Sequence, residues 1–357
     1  MIEIKHLRLI RTIAELGSLS KAAGALHLTQ SALSHQLRQL EDHLGLPVFY
    51  RTKGQLHFTP AGREFNEMSK DILADLSQLE SRITEIKEQH LSDYIHGYSQ
   101  REMDRLYEQS LTIADILHWD SYWDPGTKVL EAGCGVGGQT RIIAPQNPEV
   151  TFVSVDISRK SIEEAERRLA KEDIPNVKFQ VADLLDLPFP DKYFDHLFIC
   201  FVLEHLKEPV AALRKLERKL KAGGTITIIE GDHGSTYFHP ASVAADRVVQ
   251  AQVILQARKG GDANIGRRLY PLLEETGFTD IKVTPRQVYV DPGKPALVEG
   301  FILNTFTAMM EGVAEEVIGA GILRKEEVDQ GLKDLRRTAQ GNGTFCYTFF
   351  KAKARKG

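Results

Sequence analysis

Residues 128–138 of the 357-residue chain read Lys-Val-Leu-Glu-Ala-Gly-Cys-Gly-Val-Gly-Gly, which is the strongest indication of a fold in the sequence. An apolar strand pattern leads into glycines at alternate positions, Gly133, Gly135 and Gly137, and a helix is predicted from about Gln139. Glycines let the backbone turn tightly and approach a ligand closely. The first turn of the following helix offers free N–H groups to the negative end of a ligand. The stretch therefore predicts a nucleotide-type ligand at a strand–loop–helix junction.

The glycine loop alone fits two kinds of ligand. Residues 133–138 also satisfy the G-x-G-x-x-G pattern of dinucleotide-binding loops, so a nicotinamide cofactor and a methyl donor both stay open at this point. Asp156 ends the second predicted strand, where a carboxylate can accept hydrogen bonds from both hydroxyls of a ribose. This position fits either ligand, because both contain a ribose. Asp183 follows the third strand, where a carboxylate can accept from an adenine amino group. Residues 221–224 predict a tight turn before the fifth strand.

Strands and helices alternate along the C-terminal part of the chain. This alternation predicts a parallel sheet that is covered by helices on both faces. A mostly helical insertion, about residues 291–341, separates the last two strands. It is expected to cover the pocket for the substrate that would accept a transferred group. The predicted strands are 128–131, 151–156, 177–181, 196–201, 225–230, 281–290 and 344–351.

This array resembles the class I S-adenosylmethionine-dependent methyltransferases, particularly the small-molecule branch related to quinone-biosynthesis C-methyltransferases. The resemblance covers residues 94–230 well and residues 281–351 loosely. It implies an α/β Rossmann-like domain over residues 91–357, with a mainly parallel seven-stranded sheet and S-adenosyl-L-methionine as cofactor. The donor-binding residues that it implies are Tyr98, Arg105, Glu131, Gly133, Gly135, Gly137, Asp156, Ile157, Asp183, Leu184, Cys200 and Phe201.

The resemblance also implies a role for several of these residues. Glu131 would lie near the methionine amino group of the donor, and Asp156 would bind the ribose. Asp183, with the N–H of Leu184, would bind adenine, while Cys200 and Phe201 would line the aminopropyl chain. Tyr98 and Arg105 lie in a segment similar to the N-terminal lid of the family and are candidates for the donor carboxylate. The sequence departs from the family at Ala222, where the turn usually has Pro.

Candidate acceptor-side residues follow the fourth and fifth predicted strands, where an open α/β sheet holds its ligands. Methyl transfer needs an aligned acceptor and the exclusion of water, and a general base helps if the acceptor must lose a proton. His205, Asp232 and His233 are the catalytic candidates, with His233 favoured as the base. Two alternatives stay open: these are polar loop residues that bond one another, or His205 supports the donor pocket. Nothing fixes Asp232, His233 and His239 on one rigid element, so no metal site is expected.

The first sixty residues predict two helices joined by a tight turn, residues 19–26 and 30–44, followed by a small hairpin. Such a pair is a helix-turn-helix, whose second helix enters the major groove of DNA. Gln pairs with adenine, Arg with guanine, and Ser with either base or with phosphate. The alternative is a small helical interaction domain with a solvated polar face. The predicted contacts are Gln30, Ser31, Ser34, His35 and Arg38 on the second helix, with Arg51 on a phosphate.

Residues 1–90 closely resemble the DNA-binding domain of LysR-type transcription regulators, particularly the methionine-biosynthesis branch. The resemblance rests on Ser18-Leu19-Ser20-Lys21-Ala22-Ala23, Thr29-Gln30-Ser31-Ala32-Leu33-Ser34 and Phe58-Thr59-Pro60-Ala61-Gly62. It implies an α-rich winged helix-turn-helix over residues 1–60, a linker and dimerisation helix over 61–90, and base contacts from Gln30, Ser31, Ser34 and Arg38. The two-lobed effector domain usual in the family is replaced by the methyltransferase-like part.

The linker helix carries an apolar heptad. Phe65, Ile72, Leu79 and Ile86 recur every seven residues, and Leu76 and Ile83 lie four residues after Ile72 and Leu79. A seam of this kind packs against a partner helix, so a homodimer through the linker is expected. The alternative is a helix that packs on its own domain.

Charge and composition fit this division. Residues 1–65 contain eight Lys or Arg and five Asp or Glu, whereas the whole chain has a formal net charge of −4. The three cysteines are too widely spaced for a disulfide framework or a zinc cluster. No signal peptide or membrane span is evident, so a cytoplasmic protein is expected.

Two functions follow from the sequence. The first is a methyltransferase that acts on a small molecule and also binds double-stranded DNA to regulate transcription. The second is a non-catalytic transcription regulator that senses S-adenosylmethionine or S-adenosylhomocysteine through different affinities for two DNA-binding states.

Overall fold

The computed structural model describes residues 2–26, 28–52, 55–92 and 100–357. The chain divides into two compact units, residues 1–90 and 91–357. Within the described residues, no helix is both long and apolar enough to cross a membrane.

The N-terminal unit is a three-helix core with a hairpin and a long final helix. Ser18 and Thr29 cap α2 and α3 by accepting from the N–H groups of Lys21 and Ala32, and Gly45 ends α3 in the left-handed conformation. The side chain of Glu41 accepts from the N–H of Val48 at 2.7 Å, which ties the hairpin to α3. The elements are α1 Ile4–Leu16, α2 Leu19–Ala25, α3 Gln30–Leu44, β1 Phe49–Thr52, β2 Gln55–Phe58 and α4 Pro60–Ser92.

The apolar seam of α4 is partly exposed in the single chain. Phe65 packs on the core of the unit, whereas Ile72 and Leu79 are about half exposed. The side chains of Ile83 and Ile86 lie outside the part that the structure describes. The exposed half of the seam is therefore available to another helix.

The C-terminal unit is built on a seven-stranded sheet. The strands are β3 Lys128–Ala132, β4 Thr151–Asp156, β5 Val177–Val181, β6 Phe194–Cys200, β7 Leu220–His239, β8 Phe278–Val290 and β9 Thr344–Lys356. Their order is β5-β4-β3-β6-β7-β9-β8, and only β9 runs antiparallel to its neighbours. An apolar cluster covers each face of this sheet. The predicted mainly parallel seven-stranded sheet is confirmed.

Helices cover both faces of the sheet. The region predicted as a helical insertion contains four α-helices and a π-helix, Val298–Thr307, which packs on α5. Short 3₁₀ turns lie at Leu203–His205 and Ile265–Arg268. The α-helices are α5 Gln100–Thr112, α6 Ala114–Leu117, α7 Thr140–Gln146, α8 Arg159–Leu169, α9 Pro209–Lys219, α10 Val243–Arg258, α11 Leu269–Glu275, α12 Pro295–Leu297, α13 Ala308–Gly312, α14 Ala314–Gly319 and α15 Lys325–Arg337.

One strand differs clearly from the prediction. The fifth strand of the sheet, β7, was predicted over residues 225–230 but extends from Leu220 to His239. Beyond Glu230 it continues to pair with β9, as far as His239 opposite Thr344. The expectation that Asp232 and His233 lie in a loop is therefore wrong. Both residues are buried. Asp232 pairs with Thr348 of β9, whereas His233 lies where the register of the two strands shifts, between Asp232 and Tyr237.

Candidate functional site

The glycine loop lies at a topological switch point of the sheet. β3 pairs with β4 on one side and with β6 on the other, and the strand order along the chain reverses its direction there. A crevice forms outside the carboxyl ends of the strands at such a point, and ligands of open α/β sheets bind in it. The loop follows the carboxyl end of β3.

Three glycines of the loop have positive φ angles, 78° at Gly133, 53° at Gly135 and 77° at Gly137. A Cβ on Gly133 would lie 2.4 Å from Cγ2 of Val202, whereas a Cβ on Gly135 would meet no atom within 4 Å. Gly133 is therefore required by packing, while the backbone at Gly135 borders open space that a ligand can enter.

Asp156 holds this loop from the end of β4. Its Oδ2 accepts from the N–H of Gly135 at 2.9 Å, and its Oδ1 accepts from the N–H of Ser158 at 2.8 Å. Burial raises the pKa of this carboxyl, and the two N–H groups oppose that effect. Each oxygen keeps further acceptor capacity, so the carboxylate can still take hydroxyl groups of a ribose.

Glu131 joins three elements beneath the loop. Its Oε2 accepts from Oγ1 of Thr140 at 2.7 Å and from Oγ of Ser154 at 2.6 Å, which links β3 to α7 and β4. Burial raises the pKa of Glu131 to about 7. A cationic group beside it would favour the ionised carboxylate.

The predicted adenine end of the site is more exposed. Ile157 is 46% exposed and presents an apolar surface next to Asp156. Asp183 is exposed, and its Oδ1 accepts from the N–H of Leu185 at 2.8 Å, while Leu184 packs partly on the core. An apolar surface and a carboxylate are therefore open to solvent at the ends of β4 and β5.

The end of β6 carries a strained residue. Phe201 has a φ of 58°, which is uncommon for a bulky side chain. Its N–H donates to the carbonyl of Ile229 at 2.9 Å, and its ring centroid lies 5.3 Å from that of Phe349. Cys200, just before it, is buried. Such conformations persist where the surroundings impose them, often at ligand sites.

Helix α5 lies against the glycine loop. A Cβ on Gly138 would lie 3.3 Å from the carbonyl oxygen of Leu106. Arg105, on this helix, is half-buried and donates from Nη1 to Oε1 of Gln109 at 2.9 Å. Tyr98, the other predicted lid residue, lies outside the described residues.

A chain of buried polar side chains connects β9 to the start of α7, the helix after the glycine loop. Nζ of Lys351 donates to Oγ of Ser121 at 2.8 Å, and Oγ of Ser121 lies 3.2 Å from Nδ1 of His118. Nε2 of His118 lies 2.7 Å from Oε1 of Gln139, the residue that precedes α7. Burial lowers the pKa of His118 to about 4, so the ring is neutral and donates from Nε2 to the amide oxygen. Sequence reasoning missed this chain.

The acceptor-side candidates lie in a buried polar group. Nδ1 of His233 and Oη of Tyr347 are 2.6 Å apart, and burial lowers the pKa of His233, so its ring is neutral. Arg267 donates to both oxygens of Asp232, at 2.6 and 2.9 Å. Because that carboxylate is occupied, His233 is the better candidate for a base. Nε2 of His205 lies 3.5 Å from Oε1 of Glu204.

Tyr347 is a residue of this group that sequence reasoning missed. It lies on β9, is buried, and packs edge-to-face on Phe306 of the π-helix. A Cβ on Gly231 would lie 2.4 Å from its Oη, so glycine at that position makes room for the hydroxyl. In the residues that the structure describes, no three His, Cys, Asp or Glu side chains are grouped closely enough to hold a metal ion.

The N-terminal unit has its own polar face, on α3. Leu33, Leu37 and Leu40 are buried in the core of the unit. The predicted DNA contacts lie on the other side of the helix, where Gln30, Ser31, His35 and Arg38 are exposed and Ser34 is half-buried; Arg51 is exposed on β1. The arrangement is that of a recognition helix beside a hairpin.

Two family models match these two units. Residues 4–63 match the bacterial regulatory helix-turn-helix proteins of the lysR family, and residues 123–277 match a methyltransferase domain. The chain joins a LysR-type helix-turn-helix domain to a methyltransferase domain. The dinucleotide alternative for the glycine loop is therefore set aside.

Different parts of the chain are similar to different known proteins. An uncharacterized methyltransferase of Schizosaccharomyces pombe is 34% identical over 148 residues, 40% of this chain and 53% of that protein. An uncharacterized 37.1 kDa protein of a Streptomyces fradiae transposon is 29% identical over 71% of this chain and 70% of its own length. The transcriptional regulator MetR of Escherichia coli is 45% identical over 78 residues, 22% of this chain and 25% of the regulator. The chain thus spans about half the first relative and a quarter of the regulator.

Proposed function

We propose that the chain is an S-adenosylmethionine-dependent methyltransferase that acts on a small molecule and is fused to a DNA-binding transcription-regulator domain. The observation that carries the proposal is the contact between Asp156 and Gly135 at the switch point of the sheet. The contact fixes a carboxylate beside Gly135, a glycine in the left-handed conformation that borders open space. A ribose can bind to such a carboxylate while the rest of the ligand lies close to the backbone of the loop.

The residues around this contact fit the parts of S-adenosyl-L-methionine. Asp156 would accept from the ribose hydroxyls, and the exposed Ile157 and Asp183 would contact adenine, with the N–H of Leu184. Glu131 would lie near the amino group of the donor, and Arg105, with Tyr98, near its carboxylate. When bound, the cofactor supplies a methyl group that is already activated on a sulfonium. Gly133, Gly135, Gly137, Cys200 and Phe201 would form the remaining wall.

His233 would act as the base for an acceptor that must lose a proton. Its neutral ring can take a proton, and the contact with Tyr347 fixes the orientation of the ring. The ion pair of Asp232 with Arg267 would keep that part of β7 in position. His205, in the turn after β6, would be a further catalytic residue.

The N-terminal domain would bind double-stranded DNA through Gln30, Ser31, Ser34, His35 and Arg38, with Arg51 on a phosphate. The exposed apolar residues of α4 support a homodimer through the linker helix. Our proposal includes a cytoplasmic location, since DNA is the partner of this domain.

Calorimetric titration of the full chain with S-adenosylhomocysteine tests the donor site, with NAD as the comparison ligand. We expect saturable binding of S-adenosylhomocysteine at one site per chain and no binding of NAD. Consumption of S-adenosylmethionine with pooled small-molecule extracts then tests catalysis. Binding of NAD alone would contradict the proposal.

The second candidate is a regulator that senses the donor without consuming it. It is supported by the similarity of residues in the N-terminal domain to MetR, and by the burial of His233 and Tyr347. The two candidates differ in one outcome. Donor-dependent DNA affinity without methylation of any acceptor would favour the sensor, whereas a methylated product would favour the enzyme.

A further inference from the structure

Two buried carboxyl groups that the proposed methyl transfer does not use lie together beside the glycine loop. Glu230 is fully buried in β7, and Glu204 is 8% exposed in the turn after β6. Oε1 of Glu230 accepts from the N–H groups of Val202 at 3.0 Å and Leu203 at 2.7 Å. The carboxyl of Glu230 therefore rests on the turn that carries Glu204.

This turn borders the predicted donor crevice. Val202 packs directly on the glycine loop, since a Cβ on Gly133 would lie 2.4 Å from its Cγ2. β6 and β7 are neighbours in the sheet, and Cys200 pairs with Ile229 just before the two carboxyl groups. Glu204 thus lies just after β6, the neighbour of β3, and Glu230 lies within β7, the next strand of the sheet.

The two carboxyl groups differ in their surroundings. Oε2 of Glu230 is buried and has no hydrogen-bond partner among the described residues. Burial raises the pKa of Glu230 well above its usual value, and the charge of Glu204 adds to that effect. Two adjacent buried carboxyl groups do not both ionise. The carboxyl group of Glu230 therefore favours its protonated form.

Glu204 has a polar neighbour at each oxygen of its carboxyl group. Nε2 of Gln256 lies 3.4 Å from its Oε2, and Nε2 of His205 lies 3.5 Å from its Oε1. Burial raises the pKa of Glu204, the charge of Asp262 adds to that effect, and the charge of Arg105 opposes it. A cation beside Glu204 would favour its ionised carboxylate. The backbone of Glu204 is fixed as well, because its carbonyl accepts from Asp262 N–H at 2.8 Å and from Gln256 Nε2 at 2.9 Å.

We propose that the Glu204–Glu230 pair makes the site select a sulfonium cation over the neutral thioether that remains after methyl transfer. This inference rests on the proposed function of the site. A fixed negative charge where water is scarce attracts a cation more strongly than it does in water. S-adenosylmethionine and S-adenosylhomocysteine differ in the methyl group and in the charge on sulfur, so Glu204 would set the ratio of their affinities. The same preference would let a regulator tell the two ligands apart.

The test is the ratio of dissociation constants for S-adenosylhomocysteine and S-adenosylmethionine, measured by calorimetry on the full chain. We expect the wild type to prefer S-adenosylmethionine, and Glu204→Gln to lower the ratio about tenfold, which corresponds to about 1.4 kcal/mol. Glu230→Gln replaces a neutral carboxyl by a neutral amide and should keep the preference. Glu208→Gln, an exposed residue near the same turn, is the matched control.

The outcomes separate the inference from the proposed function. If both ligands bind and the ratio is unchanged in Glu204→Gln, or both affinities fall equally, the inference is overturned and the donor site stands. If the wild type binds neither ligand, the proposed function fails together with the inference. If Glu204→Gln does not fold, the inference is tested on the wild type instead, with sinefungin as the ligand. Sinefungin is an analogue of the donor that carries an amine in place of the methylated sulfur. We then expect sinefungin to bind more tightly than S-adenosylhomocysteine, and the reverse order overturns the inference.

Discussion

Asp156 and Gly135 are joined by a 2.9 Å hydrogen bond from the backbone N–H to the carboxylate. The bond ties the glycine loop after β3 to the end of β4. The carboxylate therefore has two tasks in our account: it shapes the loop, and it accepts from the ribose of the donor.

Replacement of Asp156 by Asn should weaken S-adenosylhomocysteine binding by about ten- to a hundredfold. A hydrogen bond to a charged group contributes about 1.5–3 kcal/mol, and an amide can accept with only one of its two side-chain atoms. Calorimetry measures the affinity, and Asp246→Asn, at an exposed position of α10, is the control. An unchanged affinity would remove Asp156 from the donor site.

Two alanine substitutions in the loop should have opposite consequences. Gly133→Ala places its Cβ against Val202 and should destabilise the domain, whereas Gly135→Ala meets no neighbour. The left-handed backbone costs a non-glycine residue only about 1–2 kcal/mol. We expect Gly135→Ala to keep most of the thermal stability but to lose donor binding. Thermal melting and calorimetry on both variants check this, and full binding by Gly135→Ala would contradict our placement of the ligand.

The stability of the methyltransferase domain should fall in acid because of His118. Its pKa is lowered to about 4 by burial, against a usual value of about 6.5. As the pH falls, His118 therefore binds a proton in the unfolded chain before it does so in the folded chain. The contribution of neutral His118 to the free energy of unfolding is complete above pH 6.5 and is lost as the pH falls towards 4. It amounts to about 3 kcal/mol.

Urea unfolding at pH 7, 6 and 5 measures this dependence. Both tryptophans of the chain, Trp119 and Trp123, lie close to His118 in the sequence, so their fluorescence reports this domain. His118→Gln should make the free energy of unfolding depend less steeply on pH between pH 7 and 5, whereas His239→Gln, at an exposed position, should leave that dependence unchanged. Equal slopes in all three proteins would show that His118 is not buried in the neutral form.

The linker helix should hold a dimer through its exposed seam. The double variant Ile72→Asp and Leu79→Asp puts charges where α4 offers apolar surface, and should halve the mass seen by light scattering. The wild type is expected at twice 40.1 kDa. Ser77→Asp, on the same helix but off the seam, should leave the dimer intact. A monomeric wild type would refute the dimer.

Arg51 should contribute to DNA affinity without a sequence preference. If it neutralises one phosphate, Arg51→Ala reduces the slope of log affinity against log salt by about one. Fluorescence anisotropy with a mixed-sequence duplex measures the slope. Lys171→Ala, an exposed substitution in the methyltransferase domain, should not change it, and an unchanged slope in Arg51→Ala would exclude the phosphate contact.

The sequence predicted the local features well and the distant contacts poorly. The glycine loop, the two helices of the helix-turn-helix and the end of the second strand at Asp156 depend on neighbouring residues, so patterns within a short window reveal them. Tyr347 meets His233 across 114 positions, and Lys351 meets Ser121 across 230. No local pattern encodes such pairs. They arise only when the antiparallel β9 enters the sheet.

The same reason explains the misjudged end of the fifth strand. After Glu230 the sequence reads Gly-Asp-His-Gly-Ser-Thr, which has the composition of a loop. Pairing with β9 overrides that local preference and keeps β7 extended as far as His239. Asp232 is thereby paired with Thr348, and His233 follows it at the register shift, where its N–H donates to the carbonyl of Ala263 at 3.0 Å.

A crystal structure of the full chain with S-adenosylhomocysteine would show where the donor product binds. Our account predicts the ribose on Asp156, the adenine beside Ile157 and Asp183, and the sulfur between the glycine loop and Phe201. A ligand bound elsewhere in the chain, or a ribose that does not contact Asp156, would contradict it.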